Sequence, residues 1–218
     1  YTVPAKREMT IQDLHRHTSG ITDGAGTGTV DELYAQANLE APGDTNEDLV
    51  RKLAELPLAN HPGEVWEYGY STDVLGRVIE VVSGMPLDEF LNERIFEPLG
   101  MNDTGFYVPE EKQDRLAQPP VDPATGELAE MPDVTTRPSF ISGGSGMVST
   151  AADYARFLEM LLNGGELDGT RILGSMTVEY ILADHLAPLP VKAPRAAALE
   201  GFVGGKSNQS DLPGVGYG

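Results

Sequence analysis

The sequence predicts a mainly α fold with few short strands. Polar capping residues repeatedly precede runs in which apolar residues recur every three or four positions, the pattern of amphipathic helices. Segments with strict apolar–polar alternation are scarce, so strand signals are weak. The 218-residue chain is 40% hydrophobic, enough for a folded core, and its 25 glycines and 16 prolines indicate frequent turns.

The first three helices are predicted from their capping residues. Thr10 precedes the first, with an aspartate three residues on. Thr29 begins the second, and Glu32 would complete a capping box there. The third opens at Thr45 or Asn46, has leucines at helical spacing and is stopped by a proline.

Four further helices bring the predicted total to about seven. The fourth runs from Ser71 to a stop at Gly84 and has a broad apolar stripe. The fifth follows Pro86, and the last two begin at Thr150, with a capping aspartate three residues on, and at Ser175. Short strands are considered only at 106–109, around Leu128 and at 146–150, and residues 117–145 are expected to be irregular.

The composition excludes several classes of partner. The net charge is −19, so the chain lacks the positive footprint that nucleic acid or an anionic membrane requires. It contains no cysteine, which excludes disulfides and thiolate chemistry. No apolar run could span a bilayer, and Tyr1 opens a polar segment rather than a secretory signal, so we expect a cytoplasmic protein.

Several short motifs resemble known sites but fail on spacing. Residues 24–28 (GAGTG) lack the third glycine of a dinucleotide loop, and 205–207 (GKS) lack the first glycine of a phosphate loop. Ser145 in GGSGM lacks one glycine of a nucleophile elbow, so these glycines are expected to serve a tight turn or a close approach. His15 and His17 lie two apart on a predicted helix and are interpreted as unrelated. We therefore expect no cofactor and no metal.

The segment HTSG, His17 to Gly20, puts hydroxyl groups next to an imidazole. Neighbouring side chains seldom point at each other, so a catalytic Ser–His pair would need the fold to bring the two groups together. The favoured interpretation is a helix C-terminus, with His17 near the last carbonyls and Gly20 as terminator.

Four segments stand in a recognisable order. They are residues 9–22 (MTIQDLHRHTSGIT), 61–84 (HPGEVWEYGYSTDVLGRVIEVVSG), 86–109 (PLDEFLNERIFEPLGMNDTGFYVP) and 142–165 (SGGSGMVSTAADYARFLEMLLNGG). In this order they resemble serine hydrolases of the beta-lactamase and penicillin-binding-protein superfamily, and most closely the class C-like esterases called family VIII carboxylesterases. The resemblance implies that this chain is the helical domain of that α/β fold, in a two-domain enzyme with an acyl-serine mechanism.

The resemblance also implies site residues. The family's tyrosine motif aligns with Tyr68-Gly69-Tyr70, which makes Tyr68 the catalytic phenol. Tyr70 stands where the lactamases carry asparagine, which argues against an efficient lactamase. Asp73, five residues after Tyr68, also matches the esterase pattern and is expected to support the site. A phenol, with an unperturbed pKa of about 10, can exchange a proton with a serine hydroxyl when a neighbouring lysine favours its phenolate.

Two family motifs are missing from the sequence. No serine is followed three residues later by lysine, and no K-T-G occurs. Three explanations stay open: a fragment of a longer protein, a chain that pairs with another chain carrying the missing parts, or a truncated domain that folds alone. We expect a helical domain over 1–185 and an irregular connection toward a missing sheet over 186–218, with apolar faces left exposed or dimerised.

The functional hypothesis names the activity of the parent enzyme. It is the hydrolysis of short-chain carboxylic esters, with the nucleophile outside this chain and Tyr68 as general base and acid. The alternatives are a beta-lactamase or D,D-peptidase, or a non-catalytic helical binding or structural module. The expected partners are a small-molecule ester and either the remaining segments of the enzyme or a second copy of the chain.

Overall fold

The computed structural model describes residues 2–121, 125–128 and 132–186, and the described part is mainly helical. Its α-helices are α1 (Ile11–His15), α2 (Thr29–Gln36), α3 (Asn46–Leu53), α4 (Ser71–Ser83), α5 (Leu87–Leu91), α6 (Glu97–Leu99), α7 (Ala151–Leu162) and α8 (Ser175–Leu182). A π-helical turn, Asn92–Phe96, joins α5 to α6, and a 3-10 helix spans Glu110–Arg115. The mainly α prediction is confirmed. Of the connection expected over 186–218, only the first residue lies within the described part.

Side-chain caps start three of the helices where the sequence predicts them. The hydroxyls of Thr10, Thr45 and Thr150 accept hydrogen bonds from the backbone N–H three residues later. Helix α2 begins at Thr29 as predicted, but the predicted capping box was wrong: Gly28 is the cap, and its N–H donates to Asp31, not Glu32, at 3.1 Å. This cap depends on a tertiary contact, because the Asp31 carboxylate also accepts a hydrogen bond from the hydroxyl of the buried Thr22 in the preceding loop.

The segment after Pro86, predicted as one helix, widens in the middle. The N–H of Glu97 donates to the carbonyl of Asn92, five residues back, and Pro98 has no N–H to continue an α-helical ladder. The segment ends at Gly100, whose φ of 65° is left-handed. The result is an α–π–α element rather than a straight helix.

Strands are few and short. The one ladder in the described residues pairs β1 (Glu166–Leu167) with β2 (Thr170–Arg171), antiparallel across a turn with positive φ at Asp168 and Gly169. That Asp-Gly hairpin was not predicted. The strands considered at 106–109 and 146–150 reduce to a bridge between residues 105 and 148, and Leu128 forms a bridge with Val121.

Helix α4 is the centre of the packing. It contacts α1, α3 and α5. One buried cluster lies between α1, α2, α3 and α4, and its members are Leu14, Ile21, Tyr34, Leu39, Leu49 and Leu53. A second joins the π-helical turn to α7 and β1, with Phe96, Leu99, Met101, Met160 and Leu167. A third, smaller cluster contains Leu87, Phe106 and Ile141.

Helix α7 keeps an apolar stripe exposed. Tyr154, Leu158 and Leu162 follow each other at intervals of four residues and all remain accessible, Leu162 to 86%. This is the kind of unburied face expected from the sequence. Within residues 2–121, 125–128 and 132–186, no helix is both long enough and apolar enough to cross a membrane.

Candidate active site

The site is built where two segments, far apart in sequence, run side by side. The loop after α1 contacts the segment before α4 through backbone hydrogen bonds: the N–H of Glu67 donates to the carbonyl of His17 at 2.9 Å, and that of Gly63 to Thr18 at 2.7 Å. Gly69 allows this approach, because a Cβ there would lie 2.5 Å from the carbonyl oxygen of Ile21. Backbone contact therefore fixes the tyrosine motif against this loop.

Tyr68 lies at the surface of this junction with 43% of its area exposed. Its ring stacks on the imidazole of His17, with 4.7 Å between ring centroids and 25° between ring planes. The buried indole of Trp66 meets the same imidazole edge-on at 6.2 Å. One face of the phenol is thus covered by protein while the residue stays accessible to a partner from outside.

His17 itself is 4% exposed and ends helix α1 in an uncommon way. Its φ of 52° is left-handed, its N–H donates to Leu14, and the N–H of Thr18 donates to Asp13. Together these bonds form a Schellman motif, with a histidine where glycine is usual. The helix-end interpretation of HTSG is therefore confirmed for His17.

The assignment of Gly20 as the terminator of α1 was wrong. Gly20 has a φ of 87°, and a Cβ there would lie 2.2 Å from the carbonyl oxygen of Asn60. Its role is close packing against the neighbouring segment rather than helix termination.

The Schellman turn is anchored by Asp13. This fully buried carboxylate accepts two hydrogen bonds from Arg7, at 2.7 and 2.9 Å, and others from Thr10 and Thr18. Burial by itself raises the pKa of Asp13, but the hydrogen bonds from Arg7, Thr10 and Thr18 outweigh it and hold that pKa well below its usual range. The turn that carries His17 is therefore fixed by a charged cluster at its base.

Tyr70 occupies a different environment from Tyr68. It is half-buried at the start of α4 and packs against the cluster that contains Leu14. Burial and the neighbouring carboxylate of Glu40 raise the pKa of Tyr70 above its ordinary value. Its phenol is held in the protonated form, as expected for a structural tyrosine.

Asp73, expected to support the site, is buried and connects α4 to the glycine-rich loop, residues 142–147. It accepts a 2.5 Å hydrogen bond from the hydroxyl of Ser142, which in turn accepts bonds from the N–H groups of Gly144 and Ser145. The loop lies directly on α4, because a Cβ on Gly143 would be 2.1 Å from the carbonyl oxygen of Thr72. The expected close approach of these glycines is confirmed.

A cavity of about 480 Å³ lies between this loop and α4. Its walls are mainly apolar and include Leu75, Ile79, Leu87, Leu91, Phe106 and Met147. A larger cavity of about 1010 Å³ lies around residues 102–119 and 132–137. Neither lining includes Tyr68, so its ring stands on open surface rather than inside either cavity.

The His17–Tyr68 stack was missed at the sequence level. The signal that could have revealed it is the spacing of Trp66 and Tyr68, two residues apart, which in extended chain puts both rings on one side. No local sequence pattern predicts that both rings contact His17, because His17 is about fifty residues away in the sequence.

Comparison with known proteins gives a consistent match. Residues 1–203 match the family described as Beta-lactamase. The chain is 37% identical over 190 residues to Protein Rv1367c of Mycobacterium tuberculosis (85% of this chain, 46% of that protein). It is 34% identical over 206 residues to the lovastatin esterase of Penicillium rubens (89% and 49%).

The fold also matches solved structures. EstCE1, a hydrolase with promiscuous acyltransferase activity, superposes with a TM-score of 0.66 at 26% identity, over 84% of this chain and 53% of that one. In each case the chain covers only part of its relative, and it spans about half the length of the curated relatives it matches.

Proposed function

This chain belongs to the Beta-lactamase family, and from that premise we propose that the protein carrying it is a serine esterase. It hydrolyses short-chain carboxylic esters through an acyl-serine intermediate, with Tyr68 as general base and acid. Residues 1–185 act as the helical domain of this enzyme. The nucleophilic serine lies outside this chain, in which no serine is followed by lysine three residues later.

The observation that carries the proposal is the accessible, oriented phenol of Tyr68 at the position of the family's tyrosine motif. It is the tyrosine of the motif that remains 43% exposed, while Tyr70 packs into the helical core. The names of two relatives, a lovastatin esterase and a hydrolase with acyltransferase activity, support ester chemistry for the family branch.

The proposed reaction has two balanced steps. In the first, the phenolate of Tyr68 takes the proton of the serine hydroxyl while the serine oxygen attacks the ester carbonyl, and the proton then passes to the departing alcohol. In the second, water attacks the acyl carbonyl and gives a proton to the phenolate of Tyr68, which passes it to the serine oxygen as the bond between the acyl carbon and that oxygen breaks, so that the carboxylic acid leaves and the serine hydroxyl is restored. The phenol ends each step in its starting form.

An ester is favoured over a β-lactam because of Tyr70. The lactamases of this superfamily carry an asparagine there, and this chain carries a half-buried phenol in its place. Such a group packs against its own domain and presents no amide to a lactam side chain.

The test compares Tyr68→Phe with the matched control Tyr70→Phe in the natural protein that carries this chain. With p-nitrophenyl butyrate as substrate, kcat is expected to fall at least about 100-fold in Tyr68→Phe and less than about threefold in Tyr70→Phe. A cephalosporin is assayed in parallel. Full esterase activity in Tyr68→Phe rejects the role of Tyr68, and faster turnover of the cephalosporin than of the ester favours the lactamase alternative.

The 218-residue chain alone gives a second readout. We expect it to fold, to show no ester turnover and to resist labelling by a fluorophosphonate probe, because it lacks the motif that supplies the nucleophile. Labelling of any serine in this chain would contradict the proposal. A natural protein that is folded but inactive towards both substrates would support the non-catalytic alternative.

A further inference from the structure

We propose that His17 is a positioning residue for Tyr68: its buried ring is the platform that holds the phenol in one orientation. This inference rests on the proposed function, since it assigns to His17 a part in the same site. It adds a residue that the tyrosine motif does not contain.

The platform is fixed in place independently of Tyr68. The His17 backbone is bonded on both sides, through its N–H to Leu14 and through its carbonyl to Glu67. The turn below it is anchored by the buried carboxylate of Asp13. The imidazole is 4% exposed, so its ring has little room to reorient.

Tyr68, by contrast, needs such a platform. A tyrosine with 43% of its area exposed would exchange between side-chain rotamers on the nanosecond scale if nothing held it. Stacking at 4.7 Å with 25° between ring planes is within the geometry of favourable aromatic pairs. Such a pair increases the population of one orientation by about three- to tenfold.

The backbone at His17 points to the same role. Its position in the Schellman motif favours glycine, because left-handed φ is uncommon for residues with a Cβ. The free-energy cost of left-handed φ at His17 is offset by the contacts of its ring with the phenol of Tyr68 and with Trp66. A residue chosen only to end the helix would need no side chain.

The variants separate the ring from the turn. His17→Asn keeps a residue that tolerates left-handed φ but removes the ring. His17→Phe keeps a ring of similar thickness and removes the nitrogens. His17→Gly also removes the ring, and glycine adopts left-handed φ most easily. It replaces His17→Asn in the same test if His17→Asn fails to fold.

Two measurements are made on each variant. On the 218-residue chain, the ring proton shifts of Tyr68 are followed by NMR, with Tyr68→Phe used for assignment. On the natural protein, kcat and KM are measured with p-nitrophenyl butyrate. We expect His17→Asn to lose the ring-current shift and to lower kcat about three- to tenfold with KM changed less than twofold, while His17→Phe keeps both within twofold.

Each other outcome overturns the inference. An unchanged kcat in His17→Asn shows that the stack does not position a catalytic group. An equal loss of kcat in His17→Phe and His17→Asn assigns the effect to the nitrogens rather than to the ring platform. A fully active Tyr68→Phe ends both this inference and the proposed role of Tyr68, whereas an inactive Tyr68→Phe beside a normal His17→Asn ends this inference alone.

Discussion

Tyr68 and Tyr70 are separated by one glycine, yet their phenols are in opposite environments. Tyr68 stacks on a buried imidazole and remains accessible, while Tyr70 is half-buried beside Glu40, which with burial raises its pKa. The family motif predicted which of the two would be the candidate phenol. Their environments could not be predicted, because they depend on residues that are distant in the sequence.

Asp13 provides a prediction at the scale of one residue. Asp13→Asn is expected to lower the free energy of unfolding by about 2–3 kcal/mol at pH 7, because the buried charge-assisted hydrogen bonds to Arg7 are weakened. The matched control is Asp48→Asn, since Asp48 holds the same capping position three residues after Thr45 but keeps 30% of its side chain exposed. The control should be much less destabilising. Urea unfolding followed by circular dichroism measures both.

The effect of Asp13 should also depend on pH. The pKa of its carboxyl is lower in the folded protein than in the unfolded chain. Its stabilising contribution is therefore complete above the unfolded pKa of about 4 and decreases as pH falls toward the folded value. The difference between wild type and Asp13→Asn should shrink between pH 5 and pH 3, and a constant difference would contradict this account.

The start of a helix could be predicted wherever its capping hydrogen bond involves only neighbouring residues. A threonine hydroxyl that accepts a hydrogen bond from the N–H three residues later depends only on residues of the same turn. Such caps were predicted correctly at α1, α3 and α7. The cap of α2 was misassigned because Asp31 is held by Thr22 from another segment. The π-helical turn also escaped prediction, since the periodic apolar pattern continues through it.

Gly69 provides a prediction at the scale of two adjoining segments. Gly69→Ala should cost about 2 kcal/mol or more, because the new Cβ would lie 2.5 Å from the backbone oxygen of Ile21, which cannot rotate away. Gly105→Ala is the matched control, with its nearest such contact at an ordinary 3.7 Å from Tyr107. We expect the control within about 0.5 kcal/mol of wild type. Equal costs, measured by thermal unfolding, would contradict the close-approach argument.

At the scale of the whole molecule, the predicted fold class and family were correct. A mainly helical chain with weak strand signals leaves few alternatives, and four ordered segments identify the family. The division of the core into three separate clusters and the folding of the glycine-rich loop onto the first turn of α4 could not be predicted. Both arise from contacts between residues far apart in the chain.

The net charge of −19 provides a prediction for the whole chain. Repulsion among exposed carboxylates destabilises the compact state, and salt screens charges beyond about 8 Å at 0.15 M. The midpoint of thermal unfolding should therefore rise between 0.02 and about 0.3 M NaCl. A variant with Glu55, Glu111 and Glu179, all exposed, replaced by lysine should respond less. An equal response in both proteins would exclude self-repulsion as the cause.

The shared contact of Trp66 and Tyr68 with one imidazole gives the candidate site its own optical label. Trp66 is the single tryptophan of the chain, so all indole emission originates beside His17. Changes at the His17 ring therefore alter the immediate surroundings of the indole. Fluorescence of the unmodified protein thus reports on the contact between Trp66 and His17, without a dye.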